Sequence, residues 1–106
     1  MTELDKDSYD GEILEKEGLA LVDFWSDACE ECMDLMPEVE ALEKEYGDKI
    51  PFYKVNIKGN RRLAIREKVL GLPTILLYKD GNKEGSFSKE IEIEEVKDKI
   101  KELLGE

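Results

Sequence analysis

The sequence lacks histidine entirely, and its 106 residues include only two cysteines and one tryptophan. Without histidine, the chain has neither the usual general base at neutral pH nor the commonest metal ligand. Basic residues are also scarce, since 16 lysines and arginines oppose 27 aspartates and glutamates and leave a net charge of −11. Such an acidic chain is a poor match for nucleic acid or an anionic membrane, which are bound through basic patches. Its surface should instead attract basic patches on other proteins.

Long apolar runs are absent as well. No stretch approaches the length of a transmembrane helix, and the first residues lack the apolar segment of a signal peptide. We therefore expect a cytoplasmic protein with no membrane partner, in a compartment where structural disulfides are rare. The length and a hydrophobic content of 41% predict a single domain over residues 1–106.

The two cysteines stand three positions apart, directly after an apolar stretch of strand length. That stretch, residues 19–25, carries one carboxylate, Asp23, and is followed by Cys29-Glu-Glu-Cys32 at the start of a helical pattern. This spacing favours a reversible dithiol/disulfide pair. A closed zinc site needs four ligands, so the metal alternative is a dimer that pools four thiols around zinc or an iron–sulfur cluster. The remaining alternatives are an inert buried pair and a fold that has kept the cysteines but lost the activity.

Three apolar stretches, at residues 19–25, 51–57 and 75–78, predict the strands of a central sheet. In the first of them apolar residues do not alternate with polar ones, so both faces of the sheet should be covered. Asp80 and Gly81 form a hairpin signal, which predicts that residues 83–88 pair back antiparallel. With helical patterns between the strands, the sequence predicts a three-layer α/β/α domain with a central mixed β-sheet flanked by helices.

Polar residues before the helical patterns predict where the helices begin. Asp7 or Ser8 should cap the first helix, Asp27 together with Glu30 the second, and Asn60 a short third helix that reaches residue 69. Four apolar residues spaced by three or four positions predict the buried face of the second helix: Leu35, Val39, Leu42 and Tyr46.

Several separated motifs make the sequence resemble the thioredoxin family from about residue 7 onward. The matching motifs are Val22-Asp-Phe-Trp25, Cys29-Glu-Glu-Cys32, Pro37 inside the following helix, Lys54-Val-Asn56, Gly71-Leu-Pro-Thr74 and Tyr78-Lys-Asp-Gly81. The resemblance implies the thioredoxin fold and the reduction of protein disulfides by dithiol exchange. It implies no cofactor; the partners would be disulfide-containing proteins and a thioredoxin reductase that supplies electrons.

The resemblance also implies roles for the residues of the redox site. Cys29, at a helix N-terminus that favours a thiolate, would attack the target, and the less exposed Cys32 would resolve the mixed disulfide. Asp23 would help to move the proton of the buried cysteine, with Lys54 as its charged neighbour. All four are therefore candidate catalytic residues.

A substrate-binding surface is implied beside them. Pro73 would follow a cis peptide bond and would place the backbone of Leu72 where an extended target strand can bind to it. Thr74 completes this motif, and Trp25 would pack against the active-site turn.

The chain departs from the family pattern at two places. The usual Trp-Cys-Gly-Pro-Cys is Ala28-Cys-Glu-Glu-Cys32 here, and a glycine expected after the last strand falls near Lys89. Glu30 and Glu31 oppose a thiolate on Cys29, each by roughly 0.7 kcal/mol through solvent at about 6 Å. The helix dipole favours the thiolate by a similar amount, roughly 0.3–1 kcal/mol. We therefore hypothesise a redox-tuning role for the two glutamates, which makes the protein more reducing than its own Gly-Pro variant.

Two other functions remain open at this stage. One is a docking module that keeps the fold and has no turnover. The other is a disulfide oxidase or isomerase, which the acidic dipeptide and the expected absence of a signal peptide disfavour. A monomer is the default expectation for the oligomeric state.

Overall fold

A mixed five-stranded sheet forms the centre of the protein, and the computed structural model describes all residues 1–106. The elements in chain order are β1 (Thr2–Leu4), a π-helical turn (Asp10–Leu14), β2 (Leu19–Trp25), α1 (Glu30–Tyr46), β3 (Phe52–Asn56), α2 (Arg61–Arg66), β4 (Thr74–Lys79), β5 (Asn82–Ser88) and α3 (Ile93–Leu104). The strand order is β1-β3-β2-β4-β5. The first three strands in this order are parallel, and β4 and β5 run antiparallel to their neighbours.

Each face of the sheet carries its own apolar core, which confirms the predicted three layers. One core lies under α1 and α3, and the other lies under the π-helical turn and α2. Strand β2 contributes to both, because Leu21 points into the first core while Val22 and Phe24 point into the second. The continuous apolar run of β2 therefore reflects burial on two faces.

Helix α1 has the predicted buried face but a different N-terminus. Its four stripe residues are all buried as predicted, and the helix ends at Tyr46, directly before Gly47. The capping box of Asp27 and Glu30 was a wrong prediction, since Cys29 occupies the cap and its Sγ accepts the N–H of Cys32 at 3.1 Å. The reason is a turn after β2, in which the Cys29 N–H donates to the Ser26 carbonyl and delays the start of the helix.

The first and third helices also differ from their predictions. A π-helical turn of five residues replaces the first, and it is Asp5, not Asp7 or Ser8, whose carboxylate accepts the neighbouring N–H groups. Helix α2 begins after Asn60 as expected but already ends at Arg66. The Asn60 side chain does not cap it, because Asn60 accepts the Lys6 N–H at 2.9 Å and ties the start of the chain to α2.

Candidate active site

The two cysteines form a disulfide where β2 leads into α1. Their Cα atoms lie 5.2 Å apart. The two sulfur-bearing residues differ in access, since Cys32 is buried with 1% of its surface exposed while Cys29 is only half-buried. A sulfur on another protein can therefore approach Cys29 and cannot approach Cys32 from solvent.

The electrostatic surroundings of Cys29 contain opposing contributions. Its Sγ accepts the N–H of Cys32 at the N-terminus of a 17-residue helix, where the helix dipole favours negative charge. The next two residues, Glu30 and Glu31, carry exposed carboxylates in the first turn. A thiolate on Cys29 would be stabilised by the backbone and opposed by these side chains.

Asp23 is a buried carboxylate with no hydrogen-bond partner among the protein's own groups. It lies in β2 with 1% of its surface exposed, and neither carboxylate oxygen has a protein partner. Burial raises the pKa of Asp23 from 3.8 to about 7, and the charge of Lys54 offsets this only in part. A group that titrates near neutrality can take up and release a proton under physiological conditions.

Lys54 lies beside Asp23 in the sheet but directs its charge elsewhere. The two residues are register partners across β2 and β3, yet no salt bridge joins them. The Lys54 Nζ instead lies 5.4 Å from the centre of the Trp25 ring, in a cation–π contact. The indole Nε1 of Trp25 is buried without a hydrogen-bond partner. The Lys54 ammonium therefore packs on Trp25 and acts on the Asp23 carboxylate only through its charge.

A ridge formed by residues 71–74 lies next to the disulfide. The Leu72–Pro73 peptide bond is cis, as the resemblance implies. The Thr74 hydroxyl donates to the Gly71 carbonyl at 2.6 Å and closes the turn. The N–H and C=O of Leu72 make no hydrogen bond within the protein. These two groups are available to an added strand.

An apolar recess opens on the Cys29 side of the ridge, with a volume of about 470 Å³. It is lined by Cys29, Ile57, Ala64, Ile65, Leu70 and Leu72, with Arg61 as its one charged residue. Leu70 is 86% exposed and Ile65 is 64% exposed, although both are apolar. Exposed apolar side chains that line a concave surface next to a reactive group are typical of a binding site.

An acidic groove lies on the other side of the ridge, with a volume of about 390 Å³. Its charged lining residues are Glu31, Asp34, Glu38, Lys89 and Glu90, and Pro73 of the ridge also lines it. The disulfide therefore lies between an apolar surface and an acidic one.

The structure brings most of the predicted site residues together and adds others. Asp23, Trp25, Lys54, the two cysteines and the ridge all cluster at one end of the sheet. Ile65 and Leu70, which line the recess, were not among the residues predicted from the sequence. The signal available for Leu70 was its position directly before the Gly71-Leu-Pro-Thr74 motif.

The structure contains neither a cluster of potential metal ligands nor a helix suited to crossing a membrane. No three histidine, cysteine, aspartate or glutamate side chains converge in a way that could hold a metal ion. None of the helices is both long enough and apolar enough to cross a bilayer.

Comparison with known proteins gives a consistent result over almost the whole chain. A family model described as Thioredoxin matches residues 1–102. A thioredoxin of Acetoanaerobium sticklandii is 53% identical over 90 residues, which cover 85% of this chain and 86% of that protein. A thioredoxin of Peptoclostridium acidaminophilum is 50% identical over 90 residues, or 85% and 82% of the two chains. Thioredoxin X of Arabidopsis thaliana chloroplasts is 34% identical over 102 residues, or 96% and 55%.

Proposed function

The chain belongs to the thioredoxin family and is a dithiol–disulfide oxidoreductase that reduces protein disulfides, and we propose that Cys29 is its attacking thiol and Cys32 its resolving thiol. The difference in exposure carries this proposal. Cys29 is half-buried and accepts a helix N-terminal N–H, whereas Cys32 is 1% exposed. Only the first can meet a sulfur on another protein.

The reaction proceeds by two exchanges. The Cys29 thiolate attacks one sulfur of the target disulfide, forms a mixed disulfide and releases the other target sulfur as a thiolate. Cys32 then passes its proton to the Asp23 carboxylate and attacks the Cys29 Sγ. The bond between Cys29 and the target breaks, the second target sulfur leaves as a thiolate, and the Cys29–Cys32 disulfide forms, so that two electrons have moved to the target.

Asp23 acts as the proton acceptor for the resolving step. Its carboxylate has no hydrogen-bond partner that would fix it in one protonation state, and burial brings its pKa to about 7. Efficient general bases have pKa values near the working pH. Lys54 favours the charged form of Asp23 from its position over Trp25 and acts as a positioning residue.

The target binds across the ridge. The free N–H and C=O of Leu72 pair with an extended segment on either side of the target cysteine. Pro73 and Thr74 fix the direction of these groups, since Thr74 closes the turn below them. Trp25 supports the active-site turn from within.

Glu30 and Glu31 tune the redox equilibrium. Their charges oppose the Cys29 thiolate and so destabilise the dithiol form relative to the disulfide. The protein is thereby more reducing than a variant with uncharged residues at these two positions.

The partners follow from this chemistry. A thioredoxin reductase returns the Cys29–Cys32 disulfide to the dithiol, so the cycle needs no bound cofactor. We propose that the protein works in the cytoplasm as a monomer that forms a single domain. The acidic surface favours target proteins with basic patches.

Trapping with cysteine variants tests the division of roles. Reduced Cys32→Ser should accumulate a mixed disulfide with insulin, because Cys29 attacks and no resolving thiol follows, while Cys29→Ser should form none. The wild-type protein, supplied with dithiothreitol, should reduce insulin catalytically. Trapping by Cys29→Ser alone would reverse the assignment. If the wild-type protein shows no turnover with insulin, the protein is a docking module and not a disulfide reductase.

A further inference from the structure

Lys89 occupies a backbone conformation that favours glycine, and it lies near the position where the family resemblance predicts a glycine. Its φ is 66°, in the left-handed region that costs a side-chain-bearing residue roughly 1–2 kcal/mol. Two hydrogen bonds hold the strained backbone in place. The Lys89 N–H donates to the Pro73 carbonyl at 2.9 Å, and the Lys89 carbonyl accepts the Ile91 N–H at 3.0 Å. The lysine is therefore fixed directly to the ridge.

The side chain of Lys89 extends along the ridge. A β-carbon placed on Gly71 would lie 3.6 Å from the Cε of Lys89, so the charged end of the lysine lies against residue 71. The free backbone groups of Leu72 follow immediately in the chain. The ammonium group consequently stands where a bound target segment would pass.

The charge of Lys89 is not used within the protein. No carboxylate forms a salt bridge with it, although acidic residues line the groove beside it. Arg61, in the apolar recess on the other side of the ridge, also lacks a salt bridge. Two free cations therefore flank Gly71 and Leu72 in a protein of net charge −11.

We propose that Lys89 is a specificity-determining residue that pairs with a carboxylate next to the attacked cysteine of the target, an inference that rests on the proposed function of the ridge. A target segment that pairs with the Leu72 backbone passes the Lys89 ammonium. An aspartate or glutamate beside its cysteine gains an ion pair there, while a lysine or arginine is repelled.

Three disulfide-bonded peptides that differ only in one residue next to the cysteine provide the test. With glutamate, glutamine or lysine at this position, the wild-type protein should show kcat/KM values in that descending order. The expected ratio between successive peptides is about two- to fivefold, the size of an exposed ion pair. The preference should weaken at 1 M salt.

Two variants of Lys89 and a matched control identify the residue responsible. Lys89→Asn keeps a residue that tolerates the left-handed region and should abolish the preference, whereas Lys89→Glu should reverse it. Lys68 serves as the control, because it also has a left-handed φ, of 64°, but lines neither the recess nor the groove. Lys68→Asn should relieve similar strain and leave the preference unchanged.

Equal rates for the three peptides, or a preference for the lysine peptide, would overturn the proposal while leaving disulfide reduction intact. So would a preference that survives in Lys89→Asn. If the wild-type protein reduces none of the peptides and does not reduce insulin either, the proposed function itself fails and the role of Lys89 fails with it.

Discussion

Asp23 and Tyr78 are both buried polar side chains of the same pair of strands, but they are treated in opposite ways. Asp23 lies near the disulfide end of β2, opposite Ile75, and its carboxylate has no hydrogen-bond partner. Tyr78 lies toward the other end of β4, and its hydroxyl bonds to the Tyr9 hydroxyl at 2.8 Å and donates to Glu67 at 2.5 Å. At one end of the β2–β4 pair the Asp23 carboxylate has no partner in the protein, and at the other end the Tyr78 hydroxyl has two.

Within one sheet, Asp23 is suited to proton transfer and the tyrosine pair is suited to stabilising the fold. Burial raises the pKa values of Tyr9 and Tyr78 far above the ordinary tyrosine range, so both stay neutral at physiological pH and act only as hydrogen-bonding groups. Burial brings the pKa of Asp23 into the neutral range, where it exchanges its proton. An unsatisfied buried group costs stability and persists where function requires it. The tyrosine end supports the fold that holds Asp23 in place.

The largest expected effect comes from removing the charge of Asp23. The folded protein holds this proton up to about pH 7, whereas the ordinary pKa is 3.8, so the unfolded state carries fewer protons between these values. Wild-type stability should therefore fall as the pH rises through this window. Asp23→Asn should not show this fall and should be more stable above pH 7 by about 2–4 kcal/mol.

Urea unfolding at pH 4 and pH 8 measures the change in stability, and insulin reduction measures the change in activity. The variant's free energy of unfolding should match that of the wild type near pH 4 and exceed it at pH 8. Its rate of insulin reduction should drop by about tenfold or more. Parallel stability curves for the two proteins would show that Asp23 does not titrate in this window.

Tyr78→Phe should have the next largest effect, with the opposite balance of stability and activity. The change leaves the Tyr9 hydroxyl and a Glu67 oxygen without their partner, which should lower the free energy of unfolding by about 1–3 kcal/mol. Insulin reduction at 25 °C should be unchanged. Tyr9→Phe is the matched control and should cost less, because the bond from Tyr78 to Glu67 remains. If Tyr78→Phe lost as much activity as Asp23→Asn, the tyrosine pair would also take part in the reaction and the proposed difference between the two ends of the sheet would be wrong.

Exposed carboxylates near the disulfide should act more weakly than the buried one. Glu30→Gly/Glu31→Pro removes two charges that together oppose the thiolate by about 1.4 kcal/mol, which corresponds to about 30 mV. The variant should therefore have a higher reduction potential by up to about 30 mV, measured by equilibration with glutathione. The difference should shrink at 1 M salt. A lower potential in the variant contradicts the tuning role.

Lys54→Met should produce the smallest effect. The interaction of Lys54 with the charged form of Asp23 should be below about 1 kcal/mol, because no salt bridge joins the two residues. Loss of the nearby cation should raise the pKa of Asp23 further. Trp25 is the only tryptophan, so the pH dependence of its fluorescence reports on this site alone. Lys54→Arg keeps the charge and should retain the wild-type midpoint. A midpoint that moves down would mean that Lys54 does not favour the charged form.

Features set by periodicity were predictable from the sequence. The bounds of β2 and the buried stripe of α1 follow from apolar spacing, because burial on a sheet or helix repeats at a fixed period. The hairpin at Asp80 and Gly81 followed from turn chemistry, and both residues have left-handed φ values. The disulfide followed from the number and spacing of the cysteines, and the ridge followed from the family resemblance.

Features set by long-range placement were not predictable. A local turn was missed as well: the Ser26 carbonyl accepts the Cys29 N–H after β2, so the helix starts later than the Asp27 capping prediction required. The position of Lys54 over Trp25 depends on the register of β3 against β2, which the sequence does not state. Leu70 resembled any other apolar residue until the fold left it exposed beside the disulfide.

The two edge strands of the sheet, β1 and β5, govern the tendency of the protein to aggregate through its sheet edges. On one side β1 offers only three residues, and on the other β5 presents the exposed charges of Lys83 and Glu84. A shift of register between Leu77 and Tyr78 further disturbs that side of the sheet. Short, charged and irregular edges discourage edge-to-edge aggregation. The protein can thus present unpaired backbone at Leu72 to its targets and still resist growth into fibrils at high concentration.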